Sequence, residues 1–364
     1  MKIYLLGYFG SGAHADDLIG LITRRMFQSE WLKAHAFART PVTPTLTIHD
    51  RTTHPCPSNG AAVAEFLSQY DLVVFCGGSL LGRLRLPPFH RIETWIHGLA
   101  PPLVLLGTGW RTEAQPLTPE EHRRMCLLLG RARAAYVRGE LTRQQIISHE
   151  MPAERVRVLG DPGLCFGDGS FHIRGIDRIG VVARRMSDVE IAQDRQTLDN
   201  ETWHTRLAQI LDELVAGGYE VTFVPMTPLW REQDNDHKGE AAVRVRMVHR
   251  ERVDSVAATD STLAAHLGTF DFVLSQRLHG SLVSLAQGVP VFPIEYQFGK
   301  MADSLSLPGF EQLRDLITPQ CGVTVETFYQ KFPALTDPAL LAATQAACAT
   351  VRDNYGRVIG ELIS

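Results

Sequence analysis

The sequence has no excess of basic residues. Its 36 Lys and Arg face 40 Asp and Glu, a formal charge of −4 over 364 residues. That balance argues against a general nucleic-acid binder. The cysteines (Cys56, Cys76, Cys126, Cys165, Cys321 and Cys348) form no Cys-x-x-Cys pair, so neither a zinc ribbon nor a thioredoxin-type redox pair is encoded. Such usage suits a reducing, cytoplasmic setting, and Cys76, inside an apolar run, reads as a buried thiol. No apolar run approaches the roughly 18–20 residues that span a bilayer. Gly-x-Ser-x-Gly, the Walker A motif and His-Glu-x-x-His are all missing, so a serine hydrolase, a P-loop nucleotidase and a zincin lack their signatures. The 14 histidines show no recognised ligand spacing, and no metal is expected. Asp234, Asp236 and His237 form a polar cluster that could hold a cation or touch a substrate, but a solvated loop is the simpler reading.

The remaining composition, 45% hydrophobic and 21% charged, is that of an ordinary globular protein. At about 150 residues per domain the length suggests two domains. Ala13-His14-Ala15 looks like a signal-peptidase site, but Gly7 and Gly10 interrupt the apolar run before it, so the start reads as strand and loop.

Short apolar runs that end in glycine or polar residues recur along the chain: Lys2–Gly7, Leu46–His49, Asp71–Cys76, Leu103–Gly107, Ala134–Arg138 and Val156–Leu159. Helical patterns separate them, among them Gly60–Gln69 and Pro119–Arg133. After a glycine- and aromatic-rich stretch at 167–174 the pattern restarts, with strands expected at Arg178–Ala183, Tyr219–Pro225, Arg252–Val256, Phe270–Ser275 and Val289–Ile294. Met226–Glu240 reads as a polar loop that opens a helix, and Asp337–Ile363 as one helix. Alternation of strand and helix predicts parallel sheets covered on both faces. The expected fold is α/β: two Rossmann-like domains facing a cleft, residues 1–170 and 171–364, the C-terminal helix packing back on the first domain.

Ligands of open α/β sheets bind at the carboxyl ends of strands, and that rule ranks the motifs. Gly7, Gly10 and Gly12 follow the first strand and suit close backbone approach to a ligand. They also suit a plain strand-to-helix turn, and the spacing is not Gly-x-Gly-x-x-Gly. Asp16 and Asp17 fit the start of the next helix as caps. Gly77-Gly78-Ser79 and Gly107-Thr108-Gly109 are two more such turns with the same pair of readings. Ser275-Gln276-Arg277-Leu278-His279-Gly280-Ser281 is the most informative stretch. It places Arg277 and His279 between a buried strand and a helix N-terminus, where amide N–H groups favour an anion. A structural arginine and a hydrogen-bonded core histidine are the alternative. Lys300 lies beyond the end of the next strand. Arg138 ends the strand that begins at Ala134, with Glu140 and Arg143 as nearby structural partners.

Five segments in this order resemble the polysaccharide pyruvyl transferase family: the opening from Gly7 to Asp17, DLVVFCGGSLLG at 71–82, VRGELTRQQI at 137–146, VLGDPGL at 158–164, and SQRLHGSLVSLAQGVPVFPIEYQFGKM at 275–301. The last is the most specific. The resemblance implies a glycosyltransferase B-like architecture and transfer of pyruvate from phosphoenolpyruvate to a sugar as a cyclic ketal, in polysaccharide or cell-envelope biosynthesis. It implies phosphoenolpyruvate as co-substrate with no cofactor, a saccharide acceptor, and a cytoplasmic protein that a lipid-linked acceptor would bring to the inner membrane face. Positions matching the family's donor-binding residues are Arg138, His279 and Lys300, with Arg277 in the same motif. The acceptor is expected on the N-terminal side, at Gly10, Gly12, Asp16, Gly77, Gly78 and Ser79. Two departures fall there. The usual Gly-Asn-x-Gly-Asp-Glu is Gly12-Ala13-His14-Ala15-Asp16-Asp17, and the usual Gly-Gly-Gly is Gly77-Gly78-Ser79.

The chemistry suits these residue types. Arginine and lysine can neutralise the donor's carboxylate and phosphate. Histidine titrates near neutrality, so His279 is the motif's candidate for protonating the methylene carbon. Two other functions remain open on the sequence. One is a nucleotide-sugar glycosyltransferase on the same plan, with Glu295 holding a ribose. The other is a non-catalytic descendant that binds glycans.

Overall fold

A computed structural model describes residues 1–7, 9, 14–28, 31, 46–57, 60–82, 84, 87–110, 116–167, 175–193, 197–227, 235–259, 261–297 and 299–364. The chain forms two compact units. The first is Met1–Ser11, Ile19–Pro162 and Thr350–Ser364; the second is Gly12–Leu18 and Gly163–Ala349. The helix Pro338–Ile363 therefore ends in the first unit, where Tyr355 Oη donates to the Gly160 carbonyl at 2.9 Å.

The first unit holds β1 (Lys2–Leu6), β2 (Thr47–Asp50), β3 (Leu72–Cys76), β4 (Leu103–Thr108), β5 (Ala132–Val137) and β6 (Val156–Val158). They pair in the order β2-β1-β3-β4-β5-β6, every ladder parallel. The reason is in the residues: all five of β3 and all six of β4 are buried, as strands covered on both faces must be. The helices between them are specified locally. Thr118 and Glu121 form a reciprocal capping box at the start of Pro119–Arg131, with proline in its first turn. Val63 and Leu67 of the helix Gly60–Leu67 pack with Trp95, Ile96 and the sheet in one apolar core.

The second unit holds β7 (Arg178–Val182), β8 (Glu220–Phe223), β9 (Val253–Ser255), β10 (Phe272–Ser275), β11 (Val291–Glu295) and β12 (Thr318–Pro319). Their order is β12-β11-β10-β7-β8-β9, again parallel throughout. Phe272 meets Phe328 of the helix Val325–Leu335 edge to face, and Phe292 packs on it at a tilt, at centroid distances of 6.1 and 5.3 Å.

Both orders reverse direction once. In the first unit the chain turns back between β1 and β3; in the second, between β7 and β10. The crevice at such a switch point, outside the carboxyl ends of the two strands, is where open α/β sheets take ligands. The Gly77-Gly78-Ser79 turn follows β3, and the Arg277–His279 motif follows β10. Gly10 and Gly12 lie outside the described residues.

Candidate functional site

In the second unit the ladder register sets the site. Ser275 of β10 is level with Val182 of β7 on one side and Pro293 of β11 on the other. Two residues past that line stand Arg184, Arg277 and Glu295, one at the end of each strand. The helix Leu278–Ala286 starts directly after Arg277. The sequence pattern puts His279 ahead of this helix; the structure puts it, 8% exposed, within the first turn.

Arg277 is not a lone cation. Its Nε donates to both carboxylate oxygens of Asp236 at 2.9 and 3.1 Å, and an Nη2 contact completes the ion pair. The same guanidinium touches Thr227 Oγ1. Asp236 also accepts the backbone N–H groups of Met226, at 2.8 Å, and Thr227, at 3.0 Å. The solvated-loop reading of the cluster around Asp236 is therefore overturned at that residue. Asp236 begins the helix Asp236–Arg244, is 1% exposed, and serves as the brace of Arg277. His237 is exposed, with Nδ1 3.7 Å from Glu240. Asp234 lies outside the described residues.

Lys300 is half-buried at the start of the short helix Lys300–Ser304, and its Nζ hydrogen-bonds Gln297 Oε1. Gly299, at φ 76°, supplies the left-handed residue that turns the chain into that helix. Glu295 holds the loop from beneath. Its carboxylate accepts N–H from Gln297 at 3.2 Å, Met301 at 2.8 Å and Ala302 at 3.4 Å. Burial pushes its carboxyl above the ordinary glutamate range, while these bonds and Lys300 pull the other way. A carboxylate so engaged positions the Lys300 loop.

In the first unit, Gly77 and Gly78 take φ of 75° and 60°, values that favour glycine. A Cβ on Gly77 would come within 2.8 Å of Ile19. The Gly78 carbonyl accepts Gly109 N–H at 2.9 Å and Thr108 Oγ1–H at 3.2 Å, so the turns after β3 and β4 are stitched together. Gly77 and Gly78 are buried and Ser79 is half-buried. Arg138, 1% exposed, sits against Gly109: a Cβ there would fall inside contact distance of Arg138 Nε and Cζ. The glycine at 109 thus makes room for a buried guanidinium. Glu140 pairs with Arg143 at 3.0 Å. Asp16 and Asp17 occupy the first turn of the helix His14–Met26, where the amide N–H groups favour negative charge. Cys76 is buried and its thiol is pushed up by burial.

Arg277 and His279 follow β10 and Lys300 follows the neighbouring β11, at the carboxyl end of the second sheet, whereas Arg138 lies in the first unit. The sequence pattern passed over Arg184. It is 7% exposed, its guanidinium lies 5.1 Å from the Tyr296 ring centroid, and its N–H donates to Gln276 Oε1 at 2.8 Å. Its signal was available: an arginine directly after a buried strand, at the same step as Arg277 after its own.

The polysaccharide pyruvyl transferase model matches residues 16–297. The chain belongs to that family. It is a transferase family, and its acceptors are saccharides. No curated protein matches the sequence. Among solved structures, the chain is similar to UDP-GlcNAc 2-epimerase from Neisseria meningitidis bound to UDP-GlcNAc (13% identity, covering 100% of this chain and 99% of that one, TM-score 0.55). It is similar to Anabaena HepE in complex with UDP-glucose (14%, 100% and 98%, TM-score 0.54). A third is a mutant of Thermobaculum terrenum O-GlcNAc transferase (17%, 100% and 66%, TM-score 0.51). The shared fold is of the glycosyltransferase B type. Among the described residues, no helix is long and apolar enough to cross a membrane.

Proposed function

We propose that this transferase moves pyruvate from phosphoenolpyruvate to two hydroxyls of a saccharide, forming a cyclic ketal. The observation that supports it is the edge of the second sheet at its switch point. There a histidine in the first turn of a helix, a braced arginine and a lysine on a fixed loop follow β10 and β11. Phosphoenolpyruvate carries a carboxylate and a phosphate on one enol carbon. Lys300 and the helix N-terminus suit these anions, and Arg138 is a further donor ligand by its match to the family motif. His279 gives its proton to the methylene carbon, which becomes methyl, and the enol carbon becomes electrophilic. A sugar hydroxyl attacks that carbon and returns its proton to His279. Phosphate leaves with its bridging oxygen and takes up the proton of the second hydroxyl, which closes the ketal. The acceptor contacts are assigned to Gly77, Gly78 and Ser79 of the first unit and to Asp16 at the start of the helix His14–Met26. A cytoplasmic site, with a lipid-linked acceptor at the inner membrane face, belongs to the same proposal.

The test is calorimetric titration with phosphoenolpyruvate beside UDP-glucose and UDP-GlcNAc, on the wild type and Lys300→Ala. Nucleotide sugars are included because chains of the same fold were solved with them. Phosphoenolpyruvate binding that falls about 10- to 100-fold with Lys300→Ala, the value of one charge-assisted hydrogen bond, is expected. Binding of a nucleotide sugar alone would move the protein to glycosyl transfer.

A further inference from the structure

Gln276 follows β10 directly, is completely buried, and has no role in the reading above. Its Oε1 accepts Arg184 N–H at 2.8 Å and Trp203 Nε1–H at 3.0 Å. Both partners can only donate, so the oxygen and nitrogen of the carboxamide cannot trade places. The NH2 group is thereby fixed on the other arm, turned away from both. That nitrogen is closed to solvent and has no hydrogen-bond partner among the described residues. A buried donor left without an acceptor costs stability and is the exception in a folded protein.

The same bonds locate the group. Gln276 N–H donates to the Val182 carbonyl at 2.9 Å, and its side chain reaches from the end of β10 to the backbone of Arg184, just past β7. β7 and β10 are the pair at which the strand order reverses. The carboxamide therefore bridges the carboxyl ends of the two switch-point strands, where open α/β sheets take their ligands. The helix Leu278–Ala286 starts two residues later, and its first N–H groups favour an anion. Gln320 has the same chemistry in another place. It is completely buried, its Oε1 accepts Leu198 N–H at 2.9 Å, and its Nε2 has no partner among the described residues. It follows β12, two ladders away from β10. We propose that the Gln276 NH2 group is a ligand contact of the second unit's switch-point site, satisfied by an oxygen of the anion that binds there. That the anion is phosphoenolpyruvate rests on the proposed function; the contact itself does not.

The experiment titrates phosphoenolpyruvate and, separately, UDP-glucose into the wild type, Gln276→Glu, Gln276→Met and Gln320→Glu, and records the ligand-free melting temperature of each. Glutamate keeps the oxygen that holds Arg184 and Trp203 and replaces only the NH2, so it serves if the Met variant fails to fold. Titrations run from about pH 6 to about pH 9, because a buried carboxyl ionises above its ordinary range and donates its own O–H until it does. The expected result is phosphoenolpyruvate binding by the wild type, weakened about 10- to 100-fold in Gln276→Met at every pH and in Gln276→Glu at the alkaline end. Gln320→Glu should bind as the wild type does. Unchanged phosphoenolpyruvate affinity in Gln276→Met, or in Gln276→Glu at every pH, overturns the contact and leaves the proposed function standing. Equal losses in Gln276→Glu and Gln320→Glu, or losses that track a fall in ligand-free melting temperature, assign Gln276 to packing and overturn it too. Binding of UDP-glucose alone, weakened in the Gln276 variants, keeps the contact and removes the pyruvyl donor; binding of neither ligand removes both.

Discussion

Replacing Asp236 by alanine isolates the brace on Arg277. The carboxylate is 1% exposed and accepts from two backbone amides and from the Arg277 guanidinium, whose side chain is 12% exposed. Removing it strands a buried cation and two amide donors together. Breaking a buried ion pair from one side costs about 3–5 kcal/mol, or roughly two to four orders of magnitude in the unfolding equilibrium. That is a large share of the ~5–15 kcal/mol that ordinarily holds a folded protein. Equilibrium urea unfolding followed by tryptophan fluorescence reads the loss, because Trp203, fully buried in the same unit, hydrogen-bonds the residue before Arg277. Pairing Asp236→Leu with Arg277→Met should recover part of it, since neither charge is then taken out of water. A cost below about 1 kcal/mol for Asp236→Ala, the range of exposed pairs, would show that Arg277 is hydrated and unbraced, and the account of the site would fail at that point.

Three further outcomes follow from the same geometry. His204, in the helix Asn200–Ala216, is pushed down to about 4, first by burial and then by Arg246 and Arg185. The unfolded chain therefore binds the proton first, so stability is intact above about pH 6.5 and falls as pH drops toward 4, by about 3 kcal/mol in all; if His204→Gln leaves the acid limb of the pH–stability curve as steep as before, this group is not its source. Gly109→Ala should displace the Arg138 guanidinium and lower phosphoenolpyruvate affinity to about the level of Arg138→Ala, and normal affinity in the glycine variant with a loss in Arg138→Ala would show that the seat does not matter. His279→Gln should slow turnover more than it weakens donor binding; an unchanged rate would take the histidine out of the mechanism.

Much of this site was legible in the chain. Periodicity located β3, β7 and β10 to within two residues because each is a short run buried on both faces, bounded by glycine or polar residues. The run from Ser275 to Ser281 stood out for the same reason: long polar side chains between apolar segments are conspicuous. Less was legible around Met226–Glu240. The helix Asp236–Arg244 starts inside that polar stretch, and its first residue is stabilised by Arg277, 41 positions away. Glu295 shows the same limit. The nucleotide-sugar reading offers it as a ribose ligand, and nothing local shows that its carboxylate accepts amides of the turn that follows it.

By itself, then, the sequence determined the α/β alternation, the glycine turns at strand ends and the motif that names the family. These are local properties, set by side-chain period and by the backbone freedom of glycine. Only the tertiary structure decided which strand ends meet. Parallel pairing set Val182 level with Ser275 and Ser275 level with Pro293. That put Arg184 and Arg277 at neighbouring strand ends, the fold brought Asp236 against Arg277, and the pairing of β4 with β5 put Gly109 against Arg138. Pairing of segments some 90 residues apart depends on which buried faces fit together, and no local pattern carries that information.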